Sequence, residues 1–425
     1  MAWIEWAFAS LSGRNGWICP VLLAILTIVL ALVAARTATG TRFLAPTLIL
    51  VGGLAVTGLA LTPFVLADAV RRGRLQAPAG PHAVGQQRIA LPFTLARDAI
   101  NVDPSSLAVQ LLFPAERAGP NASPAIATPC EDALAALPIA GGKGVLPLLL
   151  YLPGHGASWN DNVATLTFLA SQGYVIAALD DIARDTPSSQ SSPHDEAVRL
   201  EAWQFGSAQA YDRTIALSDE RVGRQARKAL SALDRLSACA ATHPHSSLGA
   251  RVDFGRVGFL GFSFGGATAA EAAVLDSRIQ AVANLDGSLF GAAYKGGLTA
   301  PYLGMISQYP FPTPEDLESG EPEARYYARL VARDLREQAR LAAREGSAGV
   351  RVRGAAHESF SDAVFDPHLS RAWLFLDANR THAIVRTHVL DFFDVHLRGR
   401  APSLLGTSRS PVPGVQTFQD IGLDP

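Results

Sequence analysis

A serine flanked by glycines is the first group in this chain whose surroundings suggest chemistry. Residues 261–266 read Gly-Phe-Ser-Phe-Gly-Gly, so Ser263 lies between an aliphatic run at 257–260 and an alanine-rich stretch at 267–273. Glycines two positions before and after a serine leave room for a sharp strand-to-helix turn that exposes the hydroxyl as a nucleophile. The helix that follows favours developing negative charge near its N-terminus. The alternative, a nucleotide-binding turn, lacks a spaced glycine fingerprint in an early strand-helix-strand unit.

An imidazole and a carboxylate further along the chain complete the groups needed for nucleophilic catalysis. His357 lies in Gly-Ala-Ala-His-Glu-Ser-Phe at 354–360, just after the last predicted strand at 350–353, and Asp286 directly ends the predicted strand at 281–285. We expect His357 to take the serine proton and Asp286 to hold the imidazole in the required tautomer. Asp362 is a weaker candidate because it lies so close to His357 in the chain. Other downstream histidines lie in polar segments or helical patterns: His368, His382, His388 and His396.

Backbone N–H groups must meet the negative charge that develops on the carbonyl oxygen during acyl transfer. One donor is expected from the residue after the nucleophile, Phe264, and the second from a loop that ends an earlier strand. The sequence Pro-Gly-His-Gly at 153–156 ends the apolar run 145–152, so the N–H of His155 is the candidate. A metal-binding role for His155 lacks a second ligand at helical spacing. The sequence predicts no metal and no cofactor.

The main domain is predicted at 76–425 and begins with a linker at 77–85 that is rich in Pro, Gly and Ala. After the linker, short aliphatic runs alternate with helical stretches up to the C-terminus. This alternation predicts an α/β protein with a doubly wound, mostly parallel sheet and helices on both faces. An insertion at 310–346 contains Phe311, Tyr326 and Tyr327 among many charged residues. It is interpreted either as a lid or as a solvated surface helix.

Two long uncharged runs precede this domain. Residues 17–35 and 43–67 are each long enough to cross a bilayer, which needs about 20 residues in a helix. They predict a two-helix transmembrane hairpin within an N-terminal membrane segment at 1–75. A cleaved signal peptide and a buried core hairpin are the alternatives. Basic residues near the ends lean slightly toward a cytoplasmic catalytic domain, and the side is left open.

Composition excludes several classes of protein. The chain has 425 residues, of which 48% are hydrophobic and 17% are charged, with a formal net charge of −2. Such apolar content excludes a disordered chain, and the charge balance gives no case for nucleic-acid binding. Three cysteines cannot build a disulfide scaffold or an all-cysteine zinc site. Cys130 and Cys239 are interpreted as free thiols in preference to a pair, which would require an oxidising compartment.

At these motifs the sequence resembles the platelet-activating-factor acetylhydrolase family of the α/β-hydrolases, over roughly residues 84–399. The resemblance lies in Ser263 of GFSFGG, Asp286 of NLDGSLF and His357 of GAAHESFSD. It implies a serine hydrolase with these residues as a triad and an ester or phospholipid substrate. Phe262 stands where the family usually has histidine, and residues 153–156 replace its usual His-Gly-Leu-Gly. The sequence Pro-Gly-His-Gly at 153–156 also resembles bacterial cutinase-like polyesterases. The triad is therefore better supported than a phospholipid substrate.

The sequence therefore predicts a membrane-anchored serine ester hydrolase that forms an acyl-enzyme on lipid-like or short-acyl esters. A cutinase-like polyesterase or a general carboxylesterase is the alternative within the same chemistry. A peptidase on this fold is a further alternative, although no peptide-binding domain is evident. A non-catalytic membrane scaffold is the alternative from another class, but such proteins usually lose a triad member and none is missing here. The expected partners are an ester substrate and the bilayer, and the oligomeric state is left open.

Overall fold

The computed structural model describes residues 80–93, 105–116, 128–129, 139–140, 144–179, 203–365, 378–405 and 410–423. The compact unit that holds most of them consists of Pro78–Asp362 and Asn379–Pro425. The predicted membrane spans at 17–35 and 43–67, and the whole predicted segment 1–75, lie outside the described residues. Within the described ranges, no helix is long and apolar enough to cross a membrane.

The strands of this unit belong to one mixed sheet. In chain order they are β1 (Ala83–Phe93), β2 (Ser105–Ala115), β3 (Thr128–Pro129), β4 (Leu146–Leu152), β5 (Val175–Leu179), β6 (Val252–Phe262), β7 (Ile279–Leu285), β8 (Tyr302–Ile306), β9 (Ala348–Val352) and β10 (Val415–Thr417). Their order across the sheet is β10-β9-β8-β7-β6-β4-β5-β2-β1-β3. The six neighbouring strands β9, β8, β7, β6, β4 and β5 are parallel. At the two ends of this parallel block, β10 pairs with β9 and β2 pairs with β5, both antiparallel. The predicted doubly wound and mostly parallel α/β sheet is thus confirmed.

Helices cover both faces of the sheet. They are α1 (Val163–Ser171), α2 (Ala208–Thr242), α3 (Ser247–Arg251), α4 (Phe264–Leu275), α5 (Pro314–Leu317), α6 (Pro322–Ala342) and α7 (Ala378–Arg398). Short turns of 3-10 helix lie at Trp159–Asn162, His357–Phe360, Asp362–Phe365 and Gln419–Ile421, and a π-helical turn lies at Ala293–Gly297. The side chain of Ser207 caps α2 by accepting a hydrogen bond from the N–H of Ala210 at 3.1 Å, which satisfies one of the donors left free at a helix start.

The core consists of two apolar layers, one on each side of the sheet. Residues of β4 and β5 are buried on both faces, which is why these strands are continuous apolar runs without polar alternation. Alternate residues of β4 enter different layers: Leu148 and Leu150 pack with α2 and α4, and Leu149 and Tyr151 pack with α1 and α7. The carboxyl ends of the parallel strands therefore meet at one edge of a rigid, two-sided core.

One prediction about the cysteines is wrong. Cys239, near the end of α2, is disulfide-bonded and is not a free thiol. Cys19 and Cys130, the other cysteines of the chain, lie outside the described residues.

Candidate active site

The sharp turn predicted around Ser263 lies between β6 and α4. Ser263 has φ 55° and ψ −126°, a conformation that side-chain-bearing residues rarely adopt and that marks stored backbone strain. Its N–H donates to the carbonyl of Leu285 at 2.8 Å, which ties the turn to the end of β7. A Cβ added to Gly261 would lie 2.2 Å from the backbone of Gly265. A glycine is required there because the two sides of the turn approach too closely for any side chain.

The structure brings Ser263, His357 and Asp286 together. The Nε2 atom of His357 lies 3.0 Å from the hydroxyl oxygen of Ser263, and its Nδ1 atom lies 2.8 Å from Asp286 Oδ2. The three residues are separated by as many as 94 positions in the chain. The side chain of His357 is 45% exposed and that of Asp286 is 7% exposed. This arrangement places a partly exposed imidazole between a hydroxyl and a buried carboxylate.

Asp286 is fixed by the carboxyl end of the neighbouring strand β8. It has φ 57°, and its N–H donates to the carbonyl of Met305 at 2.8 Å. Ser307, just after β8, donates its backbone N–H to Oδ1 at 2.7 Å and its hydroxyl to Oδ2 at 2.9 Å. With His357, these bonds occupy both oxygens of the carboxylate. Asp286 is therefore held as an oriented acceptor that leaves little rotational freedom to the imidazole.

The electrostatic setting of His357 suits a base. Burial lowers the pKa of His357, but the hydrogen bond and negative charge of Asp286 outweigh burial and hold that pKa above its ordinary value. The ring of Phe262 lies against the imidazole, with ring centroids 4.9 Å apart. This contact explains how Phe262 is accommodated where related elbows usually carry histidine. It limits ring movement without adding a second titrating group.

The two predicted oxyanion donors, Phe264 and His155, lie beside Ser263 at the edge of one cavity. Phe264 is the first residue of α4, so its N–H has no intrahelical acceptor. The loop that carries His155 approaches from the end of β4, and a Cβ added to Gly154 would lie 3.5 Å from Ser263 Cβ. The ring of His155 meets the ring of Phe264 edge to face at 6.3 Å. The backbone on both sides of the Ser263 hydroxyl can therefore approach a bound carbonyl.

Asp161 anchors the loop of His155 and was not identified from the sequence. Its Oδ2 accepts the N–H of Gly154 at 3.1 Å, and its Oδ1 accepts the hydroxyl of Tyr151. Asn162 donates its amide to the Tyr151 hydroxyl at 3.1 Å and to the carbonyl of Phe360 at 2.9 Å. This buried network joins the loop of His155 to the turn that begins at His357. Both loops are thereby held in fixed positions relative to the end of β4.

Two carboxyl groups of this region have raised pKa values. Burial raises the pKa of Asp161 to about 6, although its hydrogen bonds from Tyr151 and Gly154 oppose the change. Burial raises the pKa of Asp362 to about 7, and the charge of Asp161 adds to that effect. Asp362 accepts the N–H of Ala164 at 3.1 Å, so it binds the start of α1 and not the imidazole. Asp362 therefore lies outside the set of contacts that Ser263, His357 and Asp286 make with each other.

A cavity of about 570 Å³ opens beside Ser263 and His357. Aromatic side chains form much of its wall: Trp203, Phe264, Phe290, Tyr309 and Tyr327. Helix α6, from the insertion at 310–346, contributes Tyr327, Leu330, Val331, Asp334 and Gln338. The insertion therefore supplies a wall of the cavity, and its movement as a lid stays a prediction.

Part of the cavity lining is polar. Asp334 is 3% exposed, and its carboxylate accepts the N–H of Leu289 at 2.6 Å and the amide of Gln338 at 2.8 Å. Burial raises the pKa of Asp334 to about 6. The sequence offered no signal for this role, because Asp334 and Gln338 resemble the many other polar residues of a charged helix.

The remaining downstream histidines lie elsewhere. His382 and His388 are buried in α7, and burial lowers the pKa of His382 to about 4. His396 lies within hydrogen-bonding distance of the carbonyl of Gly346, at 2.7 Å, and His368 is outside the described residues. Among the described residues, no group of three or more His, Cys, Asp or Glu side chains is placed to hold a metal ion.

Comparisons with known proteins identify a family and a similar solved structure. Residues 125–368, more than half of the chain, match the family model described as platelet-activating factor acetylhydrolase, isoform II. Among solved structures, 400 chains match this chain. One is a ferulic acid esterase from Streptomyces cinnamoneus, which is 25% identical with a TM-score of 0.53, over 81% of this chain and 98% of its own. A comparison with curated protein sequences found no match.

Proposed function

The chain belongs to the platelet-activating factor acetylhydrolase family, isoform II, and is an ester hydrolase, and on that premise we propose that Ser263 is its nucleophile. His357 is the general base and Asp286 the acid that orients it. The observation that carries the proposal is the continuous chain of short contacts from the Ser263 hydroxyl through both nitrogens of His357 to the Asp286 carboxylate. The predicted two-helix membrane anchor at the N-terminus remains part of the proposal.

Acylation begins when the Ser263 oxygen attacks the ester carbonyl and its proton passes to His357 Nε2. The imidazolium that forms is stabilised by the buried carboxylate of Asp286. The carbonyl oxygen becomes negatively charged and accepts the backbone N–H groups of Phe264 and His155. The tetrahedral intermediate then collapses, and His357 returns the proton to the leaving alcohol.

Deacylation repeats these steps with water. His357 takes a proton from the water molecule as its oxygen attacks the acyl-enzyme carbonyl, and the same backbone groups hold the oxyanion. Collapse breaks the bond to Ser263, which recovers its proton from His357, and the carboxylic acid leaves. Each step uses residues of this chain alone and consumes only ester and water.

Covalent labelling tests the assignment of the nucleophile. A fluorophosphonate probe is expected to label the wild-type chain and not Ser263→Ala, and hydrolysis of p-nitrophenyl butyrate should disappear with the label. Ser288→Ala is the matched control, since Ser288 lines the same cavity but contacts neither His357 nor Asp286 in the hydrogen-bond network. Equal labelling of Ser263→Ala and wild type would exclude Ser263 as the nucleophile.

The substrate is proposed to be a lipid-like or short-acyl ester, in line with the family and with an anchor at the bilayer. The aromatic wall supports a second candidate, an ester with an aromatic acyl group. Trp203 and Phe290 meet edge to face at 6.1 Å, and Trp203 is 41% exposed, so its ring is available to a flat ligand. The similar solved structure is named a ferulic acid esterase.

A substrate panel separates the two candidates. The values of kcat/KM are compared for a short-chain phospholipid, p-nitrophenyl acetate and methyl ferulate, in wild type and Trp203→Ala. If an aryl group stacks on Trp203, the variant should lose about fivefold in kcat/KM on methyl ferulate and less than about twofold on the acetate, since a ring contact contributes roughly 1 kcal/mol. A preference for the phospholipid with no effect of Trp203→Ala on methyl ferulate would favour the lipid-like substrate.

The side of the membrane on which the domain lies is also a proposal. Basic residues lean toward the cytoplasm, but the disulfide at Cys239 favours an oxidising compartment, and we give the disulfide more weight. Maleimide labelling of the denatured, unreduced chain taken directly from cells tests this. Labelling of Cys239 without prior reduction would instead place the domain in a reducing compartment. Resistance of the full chain to carbonate extraction from membranes tests the anchor itself.

A further inference from the structure

We propose that the chain has a second binding site, for a phosphate-class anion, on the side of α6 that carries Arg333. The site is separate from the catalytic cavity. It is a pocket of about 520 Å³ between the π-helical turn Ala293–Gly297 and α6. Its charged lining consists of Lys295, Arg333, Arg336, Glu337 and Arg340.

Arg333 is the residue that points to a ligand. It is 8% exposed, and its Nη1 atom is a buried donor without a hydrogen-bond partner in the described part of the chain. Its guanidinium lies 3.5 Å from the ring centroid of Tyr294 and 5.4 Å from that of Phe290. Stacking covers the face of the guanidinium but uses none of its in-plane N–H donors. A buried donor without a partner is unfavourable, so an acceptor supplied by a ligand would remove a cost of the folded state.

The surrounding charges favour an anion. Glu337 is already engaged with Arg340, at 2.6 Å, and Lys295 pairs with Asp219 at 3.1 Å. No described carboxylate lies within ion-pair distance of Arg333 or Arg336. The adjacent Asp334 turns to the catalytic cavity, where its oxygens are bound by Leu289 and Gln338. Two guanidinium groups thus face one pocket without a matching negative charge.

Phosphate is the anion that this donor set fits. Guanidinium forks bind phosphate oxygens through paired, charge-assisted hydrogen bonds, and arginines from successive turns of one helix can share one phosphate group. Arg333, Arg336 and Arg340 lie three or four residues apart, so the pocket draws donors from neighbouring turns of α6. The source is either free phosphate or the phosphodiester of a lipid headgroup. Phe290 contacts Arg333 and also lines the catalytic cavity, so an anion held here would lie behind one wall of that cavity.

Calorimetric titration of the full chain in neutral detergent tests the site. The probes are inorganic phosphate and glycerophosphoglycerol, a lipid headgroup without acyl chains, and both are titrated at constant ionic strength. Wild type should bind at least one probe in the millimolar range or tighter. Arg333→Met should weaken binding about tenfold or more and Arg336→Gln about threefold, because each removes charge-assisted donors. Arg329→Gln is the matched control, since Arg329 is an exposed arginine of α6 outside the pocket.

Each outcome decides the proposal. Preference for inorganic phosphate identifies a free-phosphate site, and preference for glycerophosphoglycerol identifies a headgroup site. Absence of binding by wild type overturns the proposal, as does equal binding by Arg336→Gln and Arg329→Gln. Arg336 is exposed and its Nε donates to the carbonyl of Ala332 in its own helix at 3.3 Å, so its variant is decisive even if Arg333→Met does not fold. Catalysis is not measured, so the result is independent of the proposed nucleophile.

Discussion

Replacing Asp161 with asparagine tests how the loop of His155 is held. The carboxylate accepts two hydrogen bonds, from the N–H of Gly154 at 3.1 Å and from the hydroxyl of Tyr151. An asparagine of the same shape can accept only one of them, since its amide nitrogen is a donor. If it keeps Gly154, the Tyr151 proton loses its acceptor, and if it keeps Tyr151, two donors face each other at Gly154. Either outcome loosens the peptide that precedes His155.

The size of the effect follows from the bonds that are lost. A hydrogen bond to a charged group contributes roughly 1.5–3 kcal/mol, against about 1 kcal/mol for a neutral one. Asp161→Asn therefore removes about 2 kcal/mol of positioning from the loop, which is about 30-fold in rate if all of it is expressed in the transition state. We expect kcat to fall by that order while KM changes less than about threefold, because an oxyanion donor acts mainly in the transition state.

Stability should respond differently from activity. Burial raises the pKa of Asp161 to about 6, so the folded state disfavours the ionised carboxylate at pH 8. Asparagine removes that unfavourable charge, which offsets the lost hydrogen bond. We therefore expect a melting temperature within a few degrees of wild type at pH 8 together with the fall in kcat.

Steady-state hydrolysis of p-nitrophenyl butyrate and thermal unfolding, measured on the same preparations, check this prediction. Tyr151→Phe, which removes one donor and leaves Gly154 bound, should show a smaller fall in kcat. Ser158→Ala is the matched control, because the Ser158 hydroxyl is exposed and contacts only Asn160. A kcat for Asp161→Asn within twofold of wild type would refute the positioning role. So would a large loss of stability with kcat unchanged.

Three further predictions follow from the same structure. Because Asp286 holds the pKa of His357 above its ordinary value of 6.5, kcat/KM should rise with pH through an inflection above 6.5. The residual activity of Asp286→Asn should show that inflection at lower pH, and an unmoved inflection would contradict the assignment. The pKa of Asp362 in the folded state is about 7, above its ordinary value of 3.8, so the native state loses stability as pH rises from about 4 to 7. Asp362→Asn should therefore raise the free energy of unfolding by about 2–4 kcal/mol at pH 8 but not at pH 4, as measured by urea unfolding at both pH values. Gly265→Ala should cost about 3 kcal/mol and most activity, because its Cβ would lie 2.1 Å from the Leu152 carbonyl, whereas Gly144→Ala, with nothing within 4 Å, should unfold and hydrolyse ester as wild type does.

The elements that carry the site could be predicted because their signals are local. The second half of β6, residues 257–262, is apolar and buried, and the glycines around Ser263 permit a sharp turn after it. The predicted helix began at Ala267, whereas α4 begins at Phe264, because the turn itself supplies the first helical residues. The order of nucleophile, acid and base along the chain then left few candidates for His357 and Asp286.

The contacts that position these groups could not be predicted. Ser307 holds Asp286 from a neighbouring strand, and Asn162 reaches Phe360 across 198 positions of the chain. Each is a common polar residue in an unremarkable local sequence, and its role exists only when the sheet brings distant strands together. Cys239 shows the same limit, since its interpretation as a free thiol was wrong and the local sequence contained no sign of a bond.

Sequence alone determined the nucleophile, its acid and its base as candidates, because turn geometry and apolar periodicity depend on neighbouring residues. It also predicted the parallel sheet, because its central strands are short, continuous apolar runs. Only the tertiary structure decided that α6 lines the cavity, that Asp161 anchors the loop of His155, and that Arg333 is buried without an acceptor. These features depend on which distant surfaces pack against each other and on what burial does to a charge, and neither is encoded in the spacing of residues along the chain.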